Sequence, residues 1–196
     1  MNPVIRRLPI LLLLGTALAC SRPIVVHAPK DHDAREARML EALRRTGEDG
    51  DWLMIRGYHA TDDLVSAVTN APFSHAAVLD RKNDQVIEAE GVGIHTTPLA
   101  AFVKKAQRLM LLRPMWATDA GRQQEAVAKA RNLVGGKYDY SGLVGINNPE
   151  RYYCSELAVA VYRPHVKAGD HVPPVIPPNE LPYWGTVVWD SGPVLE

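Results

Sequence analysis

Apolar positions recur along the chain with two periods, and the switches between them divide it into elements. From Asp33, DAREARMLEALRRTG places Ala37, Leu40 and Leu43 on one face among charged residues, which predicts an amphipathic helix closed by Gly47. DWLMIRGY predicts a strand, and DDLVSAVTN a short helix ended by Asn70 and Pro72. SHAAVLD and QVIEAEGVGIH predict two strands around the turn RKND. Thr97 and Pro98 form an N-cap and first-turn pair for a helix in LAAFVKKA. RLMLLRP predicts a strand stopped by Pro114, and Asp119 opens a helix that runs to Gly135 and Gly136. KYDYSGLVGINNP is irregular. A helix then starts near Pro149 and Glu150 and ends at Pro164, before a proline-rich tail with one last strand in YWGTVVWD. The pattern is α+β, with helices inserted around an antiparallel sheet.

The first residues fall outside this scheme. MNPVIRRLPILLLLGTALAC has Arg6 and Arg7 followed by an apolar run from Leu8 to Ala19. That run is short for a membrane span, which takes about 20 residues, and suits an export signal over residues 1–19. Ala17-Leu18-Ala19 fits ordinary signal peptidase, and the same run ends on Cys20 as a bacterial lipoprotein box does, although Ala17 stands where Leu is usual. The rarity of cysteine favours lipidation of Cys20, a tether over residues 20–32, and a single domain over 33–196. Ser21 points to an outer-membrane lipoprotein facing the periplasm, held to the membrane through its N-terminal lipid.

The 196 residues are 46% hydrophobic, which suits one domain with its own core. With 22 basic and 22 acidic side chains the formal charge is zero, which disfavours a nucleic-acid partner or a polyanionic substrate. There are two cysteines. If Cys20 carries lipid, Cys154 is a free thiol in an oxidising compartment and needs a reason to be there.

Cys154, Leu157, Ala158 and Val161 share one helix face, so the thiol lies in the first turn on the side toward the protein body. A first-turn thiol is favoured as thiolate, but a packed core cysteine fits the segment equally well. Among seven histidines, His75 begins a strand whose hairpin partner can be numbered. If RKND is the loop, Asp80 faces Gln85 and His75 faces Glu90, with Glu88 on the same face as the reserve. A carboxylate so placed fixes the imidazole's tautomer and stabilises its cation. An exposed hairpin ion pair explains the same residues.

Taken together, SHAAVLD, VIEAEGVG, TPL, GKYDYSG and YYCSEL resemble the circularly permuted, YiiX-like branch of the NlpC-type papain-like cysteine peptidases, over roughly residues 48–182. The resemblance implies a permuted papain-like fold with Cys154 as nucleophile, His75 as base and Glu90 as the orienting residue. It also implies an oxyanion hole at the head of the cysteine helix, with Tyr153 contributing to substrate binding. The implied reaction is amide cleavage through a thioacyl-enzyme, on a peptide, a peptidoglycan fragment or an acyl-amide. A lipid amidase or acyltransferase, and a non-catalytic envelope-binding lipoprotein, are the alternatives. No cofactor is called for, and no CxxC or HxxxH spacing supports a metal site.

Overall fold

The computed structural model describes residues 32–57, 72–142, 145–146 and 148–192. The export signal, Cys20, most of the tether and the helix expected in DDLVSAVTN lie outside them. Helix α1 (His32–Thr46) is followed by β1 (Trp52–Gly57), β2 (His75–Asp80), β3 (Gln85–Glu90) and β4 (Gly93–Pro98). Then come α2 (Leu99–Lys104), β5 (Ala106–Pro114), α3 (Ala120–Leu133), β6 (Lys137–Tyr138) and β7 (Arg151–Tyr152). Helix α4 (Cys154–Ala160) and strand β8 (Gly185–Asp190) complete the fold.

Six strands form one sheet in the order β4-β3-β2-β1-β5-β8, with every neighbouring pair antiparallel. Both faces are covered. Trp52, Met54, Ala76, Val78, Ile87 and Leu112 pack against α3 and α4, and Leu53, Ile55, Ala77, Leu79, Val86 and Leu111 pack against α1 and α2. This is why the central strands read as continuous apolar runs rather than as an alternation. Burying each such side chain contributes about 1.5–3 kcal/mol, so the sheet is the stiff part of the molecule. The α+β expectation holds.

Several local readings change. The buried face of α1 is Met39, Ala42 and Leu43, whereas Ala37 is exposed. QVIEAEGVGIH is two strands, because Gly93 takes φ +111° and lies so close to Gly136 that a Cβ would sit 2.4 Å from its carbonyl oxygen. Thr97 is not a helix cap: it belongs to β4, and its hydroxyl donates to Glu88. Asp119 does cap α3, accepting from the Arg122 N–H at 3.0 Å. The cysteine helix begins at Cys154, later than Pro149 and Glu150, because Arg151–Tyr152 instead pairs in parallel with Lys137–Tyr138.

The hairpin pairs as numbered, with Asp80 opposite Gln85 and Ala77 opposite Glu88. That ladder stops at Ala77–Glu88, two positions short of His75 and Glu90.

Candidate active site

Cys154 is the first residue of α4, and the backbone ahead of it is extended at Tyr153. The helix packs over β2 and β3 through Leu157 and Ala158, which are fully buried and bring the thiol to the start of β2. His75 opens that strand, and its ring comes within reach of the Cys154 thiol. Its Nε2 lies 2.7 Å from Glu88 Oε2. With Nε2 committed to Glu88, the other ring nitrogen is the one left for the thiol. The Phe102 ring, 6.1 Å away between centroids, packs beside the imidazole from α2.

The carboxylate on His75 is therefore Glu88, and the directly opposed Glu90 does not touch it. Glu90 lies beyond the last β2–β3 pair and turns to Lys105 and His95, its Oε1 2.9 Å from Lys105 Nζ and its Oε2 3.5 Å from His95 Nε2. Glu88 is fully buried. Its Oε1 accepts from Thr97 Oγ1 at 2.5 Å and from Lys105 Nζ at 2.9 Å, while Oε2 is left to the imidazole.

The electrostatics follow from these contacts. Burial alone would push the Glu88 carboxyl up, but the hydrogen bond and charge of His75, with Thr97 and Lys105, hold it at about 2. Burial would likewise pull the imidazole down, and the bonds to Cys154 and Glu88 raise it instead to about 10. The Cys154 thiol is pushed up by burial, yet the imidazolium and the backbone N–H groups of Ala76 and Ser155 hold it below the ordinary thiol range. Glu88 and Cys154 each favour the charged form of the His75 ring, and that charge in turn favours the ionised form of each. Cys154 is the one free cysteine among the described residues.

Tyr153 directly precedes Cys154. Its ring is buried, its hydroxyl accepts from the Ile176 N–H at 2.8 Å, and burial pushes the phenol up to about 12. On the other side of Cys154, Ser155 Oγ donates to the Ile176 carbonyl at 2.5 Å. The two neighbours of Cys154 thus hold both backbone groups of Ile176, which brings the tail against the start of α4. The Tyr153 hydroxyl accepts from Ile176 and keeps its own proton to donate.

Tyr138 was not singled out from the sequence. It is half-buried against the Tyr140 ring at 4.8 Å, and burial together with the Cys154 charge raises its phenol pKa. Its signal was present in the GKYDYSG segment, but irregular backbone gives no periodicity from which a side chain can be placed. A separate concavity of about 800 Å³ lies at the start of α3, lined by Glu48, Arg113, Asp119 and Gln123. It does not touch Cys154, and its charged groups are paired, Arg113 with the buried Asp51 and Gln123 with Glu48. His75, Glu88 and Glu90 each offer a metal-ligand atom within 4.8 Å of the others.

Comparison with known proteins gives three findings. No curated protein matches the chain. A solved structure described as metalloprotein yiiX from Escherichia coli O157:H7 matches with a TM-score of 0.52 and 23% identity, covering 61% of this chain and 66% of that one. At that identity the likeness shows the fold. A sequence model described as "Permuted papain-like amidase enzyme, YaeF/YiiX, C92 family" matches residues 48–174, well over half the chain and a span that contains His75, Glu88 and Cys154. The chain belongs to this permuted papain-like amidase family, a family of hydrolases.

Proposed function

We propose that the protein is a thiol hydrolase that cleaves an amide through a thioacyl-enzyme at Cys154, with His75 carrying the proton and Glu88 orienting the imidazole. The observation that carries this reading is that His75, held by the buried Glu88 carboxylate at 2.7 Å, also has the Cys154 thiol within reach of its ring. In the resting pair the sulfur is thiolate and the ring is imidazolium. Sulfur attacks the carbonyl carbon, the S–C bond forms, and the carbonyl electron pair moves to oxygen. Backbone N–H groups in the first turn of α4, which have no helical acceptor, face the developing charge. The C–N bond then breaks as the departing nitrogen takes the imidazolium proton. Neutral His75 next removes a proton from water, the hydroxide adds to the thioester, and the C–S bond breaks to restore thiolate and imidazolium. Glu88 stays ionised throughout and holds the ring in one tautomer.

The substrate class that fits this reading is a peptide, peptidoglycan fragment or acyl-amide in the bacterial envelope, reached by a protein anchored through lipid on Cys20. No described helix is long and apolar enough to cross a membrane. A lipid acyl group is favoured by one feature. Exposed Val92 and Tyr140 lie at the β3–β4 turn, where the Tyr140 hydroxyl donates to the Gly91 carbonyl at 3.2 Å.

The relative described as a metalloprotein raises the question of a metal at His75, Glu88 and Glu90. These donors do not fit one as they stand. The Lys105 ammonium is 2.9 Å from an oxygen of each carboxylate, and the remaining Glu88 oxygen is on His75. A dication would have to displace a cation already in place. The hydrolase reading is tested by intact-mass analysis of protein treated with an activity-based thiol probe. Labelling at Cys154 that His75→Ala abolishes supports it, and a Cys154 that stays unlabelled overturns it.

A further inference from the structure

We propose that Lys105 is a positioning residue for this site: its ammonium bridges Glu88 and Glu90, balances the second acidic charge, and keeps one Glu88 oxygen turned to His75. The proposal rests on the hydrolase reading above for its functional meaning, although its geometry stands independently.

Glu88 and Glu90 are two residues apart on β3, so they share the face that looks toward α2. With His75 they place three ligand atoms within 4.8 Å of one another. Two carboxylates at that spacing repel each other. Lys105 removes that conflict, with Nζ at 2.9 Å from Oε1 of both residues.

Its position is set by the fold. Lys105 is the C-cap of α2, its backbone N–H bonded to the Phe102 carbonyl at 3.0 Å, and the chain enters β5 at the next residue. The ammonium lies 5.9 Å from the centre of the Phe102 ring, the same ring that packs beside His75. Burial would lower the lysine, but its bonds to Glu90 and Glu88 raise it, so it stays charged. The charged or titratable groups facing it are Glu88 and Glu90 from β3, His95 from β4, whose Nε2 is 3.6 and 3.5 Å from the two carboxylates, and His75 from β2. Since Glu88 Oε1 is held by Thr97 and Lys105 together, rotation of the carboxyl away from His75 would break two bonds as well as one.

The test is an NMR titration of His75 in full-length protein carrying labelled histidine. The variants are Lys105→Met, Lys105→Arg, Glu90→Gln and Lys105→Met with Glu90→Gln. Cys154 alkylation against pH is followed on the same samples. Loss of the ammonium should raise the His75 pKa by about one unit, since an uncompensated carboxylate then faces the imidazolium. Arginine should retain the wild-type value. Removing Glu90 along with Lys105 should bring the value back toward wild type, which a purely structural role would not do. If Lys105→Met fails to fold, Glu90→Gln alone decides, because it leaves the cation in excess and should lower the His75 pKa. An unchanged pKa in folded Lys105→Met or in Glu90→Gln, or a double variant shifted as far as Lys105→Met, overturns the proposal. A wild-type Cys154 that alkylates like an ordinary thiol overturns the hydrolase reading instead, and the His75 titration still decides the role of Lys105.

Discussion

Replacing Glu88 with glutamine tests the central ion pair, and Glu90→Gln is the internal control. Glu88 is fully buried and holds His75, Thr97 and Lys105 at 2.7, 2.5 and 2.9 Å. Breaking a buried pair by removing one partner costs about 3–5 kcal/mol, because the other charge stays buried without compensation. For a chain of this size that is a fall in Tm of about 10 °C. Glu90 is 37% exposed, and losing its ion pair should cost about 1 kcal/mol or less. The pH dependence adds a signature. The Glu88 carboxyl is held at about 2 against 4.5 unperturbed, so its contribution is complete above 4.5 and is lost as pH falls through 2. His75 is raised to about 10 from 6.5, so its contribution is complete below 6.5 and is lost as pH rises through 10. The Tm difference between wild type and Glu88→Gln should therefore be widest between these unperturbed values and narrow on both sides. A charge-assisted hydrogen bond is worth about 1.5–3 kcal/mol, so its loss should lower the His75 pKa by about 1–2 units. The alkaline limb of turnover should follow. Glu90→Gln should move the His75 pKa by less than about one unit. Thermal melts across pH and an NMR titration of His75 read both quantities. If Glu90→Gln proves the more damaging change, or if the Glu88→Gln penalty does not vary with pH, the assignment of Glu88 to the imidazole is wrong.

Iodoacetamide should alkylate Cys154 well below the pH that an ordinary thiol requires, and His75→Ala should move the profile upward, because burial then acts on the thiol without a nearby cation; a profile that ignores residue 75 would make Cys154 a packing residue. Exhaustive chelation should leave that alkylation profile unchanged, since Lys105 already fills the place between the carboxylates; a profile altered by chelation and restored by zinc would refute this. Cys20→Ser should release the protein from membranes and abolish lipoprotein processing, and membrane partition equal to wild type would dismiss the lipid anchor.

Much of the fold was legible because its signals are local. Asp119 as a cap, Pro114 as a strand stop and the hairpin pairing of Asp80 with Gln85 all follow from residues within one or two turns of each other. The choice between Glu88 and Glu90 was not local. The pairing arithmetic is correct, but it assumes that the ladder continues to the ends of both strands, and it stops at Ala77–Glu88. Which carboxylate reaches His75 is then decided by groups from α2 and β4: Thr97 and Lys105 hold Glu88, while Lys105 and His95 draw Glu90 aside. The surroundings of Tyr153 were not local either. Its hydroxyl partner, Ile176, is 23 residues away in a tail with no periodic pattern.

The order of the three groups along the chain is histidine, carboxylate, cysteine, and the sheet explains why that order suffices. His75 and Glu88 are fixed relative to one another by adjacent antiparallel strands, so their geometry needs only a short hairpin. Cys154 is fixed by the packing of α4 on those same two strands, through Leu157 and Ala158 in the core. None of these contacts depends on whether the helix precedes or follows the hairpin in sequence. Any connection that lets α4 lie across β2 and β3 with its first residue at the start of β2 delivers the thiol to the imidazole. The segment after α4 also returns to the site, where Tyr153 and Ser155, on either side of Cys154, hold Ile176. Chain that follows the cysteine helix thus lies against the start of α4, and sequence changes around Pro173–Pro178 are the ones expected to alter substrate choice while leaving the thiolate–imidazolium pair intact.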